Sequence, residues 1–415
     1  MQNSACAKIT YANSTDENRK THHRLQTAAI SGAASTAPPM IFLCRPAVIA
    51  VLLLALIAIS SCGYIFEREP GIGKQVEWTV IPQWERDDLS QAWAGMQAQC
   101  PRMTRKSADW EPICEAVREL QNPSASDVRA FFEKHFALHR VHGANGKRDG
   151  LITGYYEPIL NGSMTRTEQF NYPVYAQPED MLVIELAEIY PKLKGMRLRG
   201  RLEGNRVVPY WSRAEIDGEE QPLAGQEIIW IDDPYGSFFT QIQGSGRVRL
   251  QDGTMVGVGY ANQNGHPYVA VGKKLVEIGA LPLEEVSLFT IKKWLQENPD
   301  RAPEVLNANP SYVFFELRDS VDDGPRGSLN VPLTSERSIA VDRRVIPLGT
   351  PVWLQTTLPD GSAYERLMFA QDTGGAITGP VRADVFFGIG ERAEQLAGEM
   401  KQRGQMFALL PRKLP

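Results

Sequence analysis

LMFAQDTGGAITGPVRADVFFG, residues Leu367 to Gly388, carries the pattern from which the rest of the chain can be read. An apolar run reaches Asp372, the chain turns through Gly374, Gly375, Gly379 and Pro380, and a second apolar run begins at Asp384. β-branched and aromatic runs read as buried strands, and the Gly/Pro cluster between them permits tight or left-handed passages. The spacing predicts two strands with a carboxylate at each facing end. Ser338 to Thr350, SIAVDRRVIPLGT, repeats the idea, with Asp342 at a strand end and a turn at Pro347 and Gly349. Three aspartates at strand ends predict one acidic cleft. Each alone is equally a turn former, hydrogen-bonding its own backbone two residues on.

Upstream of this tail the texture is mostly β. Strands are expected at Leu151 to Pro158, Tyr172 to Gln177, Arg206 to Tyr210, Glu227 to Asp232, Phe238 to Tyr260 and Tyr312 to Leu317. The stretch Phe238 to Tyr260 reads as a hairpin turning at Asp252-Gly253. Ala270 to Asn298 and Glu391 to Gln402 read as helical, and Met406 to Leu410 as a closing strand. Between Trp84 and Leu120 apolar positions recur at helical spacing, with Pro101 and Pro112 expected to break the run. A helix over Ser124 to Arg140, capped by Ser126 or Asp127, would align His135, His139 and His142. Three imidazoles on one face can hold zinc. The His-Glu-x-x-His arrangement is absent, and Phe131, Phe132, Phe136 and Leu138 favour core packing, so no metal is expected.

The chain has 415 residues, room for two ordinary domains, and a net charge of -5. No basic stripe is present to neutralise phosphates, so nucleic acid is not an expected partner. Neither a Walker-type phosphate loop nor a Gly-x-Ser-x-Gly elbow occurs, which removes two common enzyme classes, and no cofactor is implied.

Ala47 to Ile59 is an apolar run of about 13 residues, short for a membrane span but right for a signal-peptide core. It follows Arg45 and ends in Ile59-Ser60-Ser61-Cys62, the pattern of a bacterial lipoprotein signal in which Cys62 carries lipid. The alternative is an uncleaved anchor, and either exports the remainder. Residues 1–39 do not fit such a signal, and Met40 would start a compact one, so 1–39 is expected to be a disordered or non-native leader. Cys6 and Cys44 precede the cleavage point, leaving Cys100 and Cys114 as a mature pair, either bonded or two buried thiols.

Thr153-Gly-Tyr-Tyr-Glu-Pro158, Val208-Pro-Tyr-Trp-Ser-Arg213, Phe239-Thr-Gln-Ile-Gln-Gly-Ser-Gly246, Gly259-Tyr-Ala261 with Asn264-Gly265, Asn309 to Phe315 and the three-aspartate tail occur in this order. Together they resemble the membrane-bound lytic murein transglycosylase A family. The resemblance implies a mainly β fold with some helix: a double-psi β-barrel from 84–158 and 316–415, with a second β-rich domain, 159–315, inserted. Residues 62–83 would be a tether and 40–61 the signal peptide. A groove for a glycan strand would run between the two domains.

The resemblance also implies a peptidoglycan lyase of the exotransglycosylase kind, cleaving the β-1,4 bond between N-acetylmuramic acid and N-acetylglucosamine and leaving a 1,6-anhydro ring. The single catalytic aspartate would be Asp384, with Asp372 and Asp342 in support. Tyr155, Tyr156, Gln243, Gly244, Ser245 and Gly246 are the candidate sugar-binding residues, since tyrosine faces suit sugar rings and Gly-Ser-Gly exposes amide donors. The expected partners are glycan strands, a membrane reached through lipid on Cys62, and cell-wall synthesis proteins. The expected location is the outer membrane, facing the periplasm. A hydrolytic muramidase and a non-catalytic wall-binding lipoprotein are the rival readings.

Overall fold

The computed structural model describes residues 69–318, 321 and 324–412. The leader, the signal segment, Cys6, Cys44 and Cys62 lie outside the described residues. The chain enters with β1 (Gly71–Val76), passes three helices, α1 (Trp93–Lys106), α2 (Glu111–Glu119) and α3 (Ala125–His135), and continues into β2 (Phe136–His142) and β3 (Gly150–Glu157). Next come β4 (Ile159–Ser163), β5 (Tyr172–Tyr175), β6 (Leu182–Ile184), β7 (Leu198–Glu203), β8 (Arg206–Pro209) and β9 (Glu227–Ile231). They are followed by helix α4 (Gly236–Gln243), β10 (Ser245–Leu250), β11 (Met255–Gln263), helices α5 (Val271–Glu277) and α6 (Leu288–Glu297), and β12 (Val313–Arg318). The chain finishes with β13 (Ser338–Val341), β14 (Pro351–Thr357), β15 (Ala363–Asp372), β16 (Arg382–Ile389), α7 (Glu391–Glu399) and β17 (Lys401–Pro411).

Six strands close in the order β3-β16-β13-β15-β14-β17, with β17 returning to β3. β3 runs parallel to β16 and β13 parallel to β15, while the other seams are antiparallel. This is the closed barrel that the double-psi reading expects. Strands β4 to β12 build a six-stranded sheet, β12-β11-β10-β4-β9-β5, and a small three-stranded sheet, β6-β7-β8. A bridge between Ala176 and Phe315 draws the two edges of the larger sheet together.

Barrel strands are apolar on both faces because one face fills the interior and the other is covered by helices. In β14 and β15, Val352, Trp353, Leu354, Leu367, Met368 and Phe369 have no exposed surface. Trp84 packs edge-on to Trp353 at 5.3 Å, and Phe132 of α3 reaches Phe369 at 6.4 Å, so the N-terminal helices share the barrel's core. Burying each such side chain stabilises the fold by roughly 1.5–3 kcal/mol. Cys100 of α1 and Cys114 of α2 are bonded, with Cα atoms 5.6 Å apart.

Four local expectations are corrected. The tether expected over 62–83 contains β1, which pairs with β2 as an outer strand. Only its Ile72 and Val76 pack against the core, too weak an alternation to read from sequence. Pro101 lies inside α1 without breaking it, because the buried stripe Trp93, Met96, Cys100 and Met103 outweighs the lost backbone bond. Pro112 instead starts α2. The helix expected over Ser124 to Arg140 is capped by Ser124, whose side chain bonds Asp127 in a reciprocal capping box, and it ends at His135. His139 and His142 therefore lie on β2, where His139 Nδ1 meets the Gly73 carbonyl at 2.9 Å, and the three imidazoles share no helical face. Finally, GSFFTQIQ forms α4 rather than strand. The hairpin begins at Ser245, with its turn at Asp252-Gly253 as read.

Candidate active site

Pairing register places four residues in one row across adjacent barrel strands. Thr153 of β3 stands opposite Asp384 of β16, Asp384 opposite Ala340 of β13, and Ala340 opposite Asp372 of β15. Residues paired across a sheet point to one face, so this row presents Thr153, Asp384 and Asp372 together, with small Ala340 leaving room between the carboxylates. A bulge makes the last member possible. The register slips between Ile339 and Ala340, so Gln371 is the extra residue of β15 and Asp372 is turned to the row. Gln371 is fully buried and accepts from Ser338 Oγ at 2.6 Å, while its amide donates to the Gly95 carbonyl at 3.2 Å.

The same pleat separates the paired tyrosines. Tyr155 lies two residues from Thr153 and shares its face, and its hydroxyl donates to Oδ2 of Asp372 at 2.9 Å. Tyr156 points the other way, into the core, and donates to Glu394 of α7 at 2.9 Å. Gly154, also on that inner face, is obligatory, since a Cβ there would stand 2.5 Å from the Phe387 ring and 2.9 Å from Ala397 of α7.

Asp384 accepts from Thr153 Oγ1 at 2.5 Å through Oδ1. Burial by the surrounding protein pushes its pKa up. The Asp372 charge adds to the rise, while Arg382 and the Thr153 hydroxyl oppose it. Asp372 is held by four donors. Ser328 N and Ser328 Oγ reach Oδ1 at 2.9 Å, Thr373 N reaches it at 2.8 Å, and Tyr155 takes Oδ2. Burial also raises its pKa, against those hydrogen bonds. The Tyr155 phenol is pushed far up by burial first and by the Asp372 charge second, so it stays a donor.

Both aspartates line a cavity of about 450 Å³ between the barrel and the inserted sheet, within the size of small-ligand sites. Its walls include Tyr155, Gln243, Gly244, Tyr260 and Gln263. Gly244 ends α4 with φ of 80°, the left-handed cap that glycine adopts freely, and Gln243 Oε1 accepts from Tyr156 N at 3.0 Å. Ser245 and Gly246 do not line it. They are the buried first residues of β10, paired with Gly259 and Val258, so the expected exposed Gly-Ser-Gly amides are committed to the sheet. Tyr156 is likewise absent from the wall. Asp342 does not line the cavity either: it accepts from Arg344 at 2.6 Å and from Gly379 N at 2.9 Å, the turn-forming role open to any strand-end aspartate. The acidic cleft thus holds two of the three aspartates. Thr153, Ser328, Tyr260 and Gln263 join the site unforeseen. Thr153 lay inside a quoted motif, whereas Ser328 carried no sequence signal. Among the described residues no His/Cys/Asp/Glu group could hold a metal, and no helix is long and apolar enough to cross a membrane.

With this geometry in hand, similarity to known proteins falls on the same regions. Residues 151–316 match the family described as the MltA specific insert domain, and residues 337–410 match the 3D domain. The membrane-bound lytic murein transglycosylase A of Escherichia coli is 33% identical over 306 residues, covering 72% of this chain and 75% of that protein. The crystal structure of MltA from Neisseria gonorrhoeae superposes with a TM-score of 0.71 at 33% identity, covering 84% of this chain and 98% of the other. The structure of E. coli MltA with bound chitohexaose superposes with a TM-score of 0.62 at 25% identity, covering 84% and 96%.

Proposed function

The chain belongs to the membrane-bound lytic murein transglycosylase A family, and on that premise we propose that Asp384 acts alone as acid and base in its reaction. The protein is a lytic transglycosylase acting on peptidoglycan. The observation that carries the assignment is the row itself. Asp384 is raised towards its neutral form, has one oxygen fixed by Thr153, and faces the cavity of about 450 Å³.

In this reading the neutral carboxyl first gives its proton to the leaving 4-oxygen. The 6-hydroxyl of the N-acetylmuramic acid then attacks its own C1, closing the 1,6-anhydro ring, and the Asp384 carboxylate takes the hydroxyl proton. Attack within one sugar needs no residue to position water. General acid catalysis supplies about 10² to 10⁴-fold, so the rest of the acceleration falls to binding and distortion of the strand by walls such as Tyr155, Gln243 and Gly244. Asp372 supports by its charge and by ordering Tyr155. Asp342 supports at a distance, by holding the turn at Gly379.

A hydrolase would use a second carboxylate on a water. Asp372 is the candidate nearest in the sheet, and its four donors leave it poorly placed to take a proton from water. Attachment to a membrane through lipid on Cys62, facing the periplasm from the outer membrane, accords with the membrane-bound relatives. The deciding experiment is mass analysis of fragments released from purified peptidoglycan. Products one water lighter than hydrolysis products, and lost with Asp384→Asn, are expected. Reducible ends would establish a hydrolase, and release by the Asn variant would remove Asp384 from the chemistry.

A further inference from the structure

The cavity wall carries more positive charge than a neutral sugar strand calls for. Its arginines are Arg197, Arg213, Arg326 and Arg382, against the carboxylates Asp372, Asp384 and Glu316. Arg213 is buried and engaged with Asp217 at 3.6 Å and with the carbonyls of Asn309 and Ser311. Arg197 and Arg326 differ. Both are exposed, and neither has a carboxylate partner among the described residues. Arg197, just before β7, stands close enough to Tyr260 for its charge to act on that phenol. Arg326 comes from the segment between β12 and β13, where a backbone bridge to Pro332 fixes it and Nη1 donates to the Asn330 carbonyl at 3.4 Å. One cation therefore comes from the insert and the other from the chain returning to the barrel, and both face the space that Asp384 faces.

Resting on the transglycosylase reading, we propose that Arg197 and Arg326 bind carboxylates carried by the glycan strand and so select muramic-acid-bearing strands over neutral ones. The sugar rings are uncharged, and the negative charge of peptidoglycan sits on its substituents. These are the free carboxylates of stem peptides or, where the peptide has been removed, the lactyl carboxylate of the muramic acid. Two exposed guanidiniums on one cavity wall meet either group at modest strength. Exposed pairs of this kind are individually weak and weaken further with salt.

The test measures binding on an Asp384→Asn background, with Arg197→Ala and Arg326→Ala singly and together, by co-sedimentation with sacculi and by calorimetry with soluble strands. Three ligands are used: peptide-bearing strands, strands stripped by an amidase, and chitohexaose. Each Ala variant is expected to weaken peptide-bearing strands about two- to fivefold, with the loss shrinking at high salt and chitohexaose binding unaffected. Loss on peptide-bearing strands alone identifies stem-peptide carboxylates, loss on stripped strands alone identifies the lactyl carboxylate, and loss on both shows that the two arginines take either group. Equal loss on chitohexaose, or no loss on any ligand, overturns the proposal. In the active enzyme the same variants should raise KM with little change in kcat. Absence of anhydro products from the enzyme with Asp384 intact would instead count against the transglycosylase reading, and the binding arms would still decide the carboxylate question.

Discussion

Thr153 donates its hydroxyl to Oδ1 of Asp384 across 2.5 Å, tying the strand that leaves the barrel for the insert to the strand that carries the acid. A hydrogen bond to a carboxylate favours its ionised form, so its removal in Thr153→Val should raise the Asp384 pKa further. Activity needs the protonated acid at the start and falls as pH rises through that pKa. The alkaline limb of the pH–rate profile should move to higher pH, and kcat at the optimum should drop about ten- to a hundredfold, since such bonds are worth about 1.5–3 kcal/mol.

Asp372→Asn should shift the same limb the opposite way. The Asp372 charge raises the pKa of Asp384, so removing it lets Asp384 ionise at lower pH. An Asn side chain keeps an acceptor for Ser328, which preserves the local turn. Opposed shifts from Thr153→Val and Asp372→Asn, read in pH profiles of anhydro-product release, would tie both to one carboxyl.

Replacing the acid should also stabilise the protein. A carboxyl with a raised folded-state pKa binds its proton more tightly folded than unfolded. Its stabilising effect is complete below the unfolded pKa of about 3.9 and is lost as pH rises through the folded value. Asp384→Asn removes that loss. Urea denaturation should show the variant more stable at pH 7, with the gap closing near pH 3.

Glu157, without exposed surface, accepts from Arg247 at 2.7 Å and from Arg318 at 2.5 Å. Removing the shared carboxylate strands two largely buried guanidiniums, which costs about 3 kcal/mol. Glu157→Gln should lower the midpoint of chemical denaturation accordingly, and an unchanged midpoint would show the cluster to be replaceable.

The Cys100–Cys114 bond closes a short loop, 14 residues apart in sequence. Chain-entropy reasoning assigns about 3 kcal/mol to a loop of this length. Cys100→Ala with Cys114→Ala should lose about 2–3 kcal/mol by denaturation and keep activity, because both cysteines lie in the α1–α2 pair, away from the cavity.

Asp372 and Asp384 were legible in the sequence because local features, apolar runs joined by a Gly/Pro turn, mark strand ends. The barrel with an inserted β-rich region was legible only through the resemblance of several motifs in order. Thr153 and Ser328 were not legible as site residues, since they reach the aspartates by pairings 231 and 44 residues away. Periodicity within a window carries nothing about such separations. The α4 segment reads as strand because Phe238, Phe239, Thr240 and Ile242 have strand-like composition, and tertiary packing of Phe238 and Phe239 against Leu275 and Leu295 overrides it. Asp342 shows the converse: a strand-end aspartate with every sequence mark of a site residue that serves a turn.

The 231-residue separation between Thr153 and Asp384 also orders events in time. β3 is made early, but its neighbours β16 and β17 are the last strands to appear, so the barrel cannot seal until almost the whole chain is present. At about 5–20 residues per second, synthesis leaves β3 without its final partners for tens of seconds or less. Chains that end before β17 lack the strand that closes the barrel beside β3, and those that end before β16 lack Asp384 as well. The row that holds the acid is thus complete only once β16 has been made and can pair with β3.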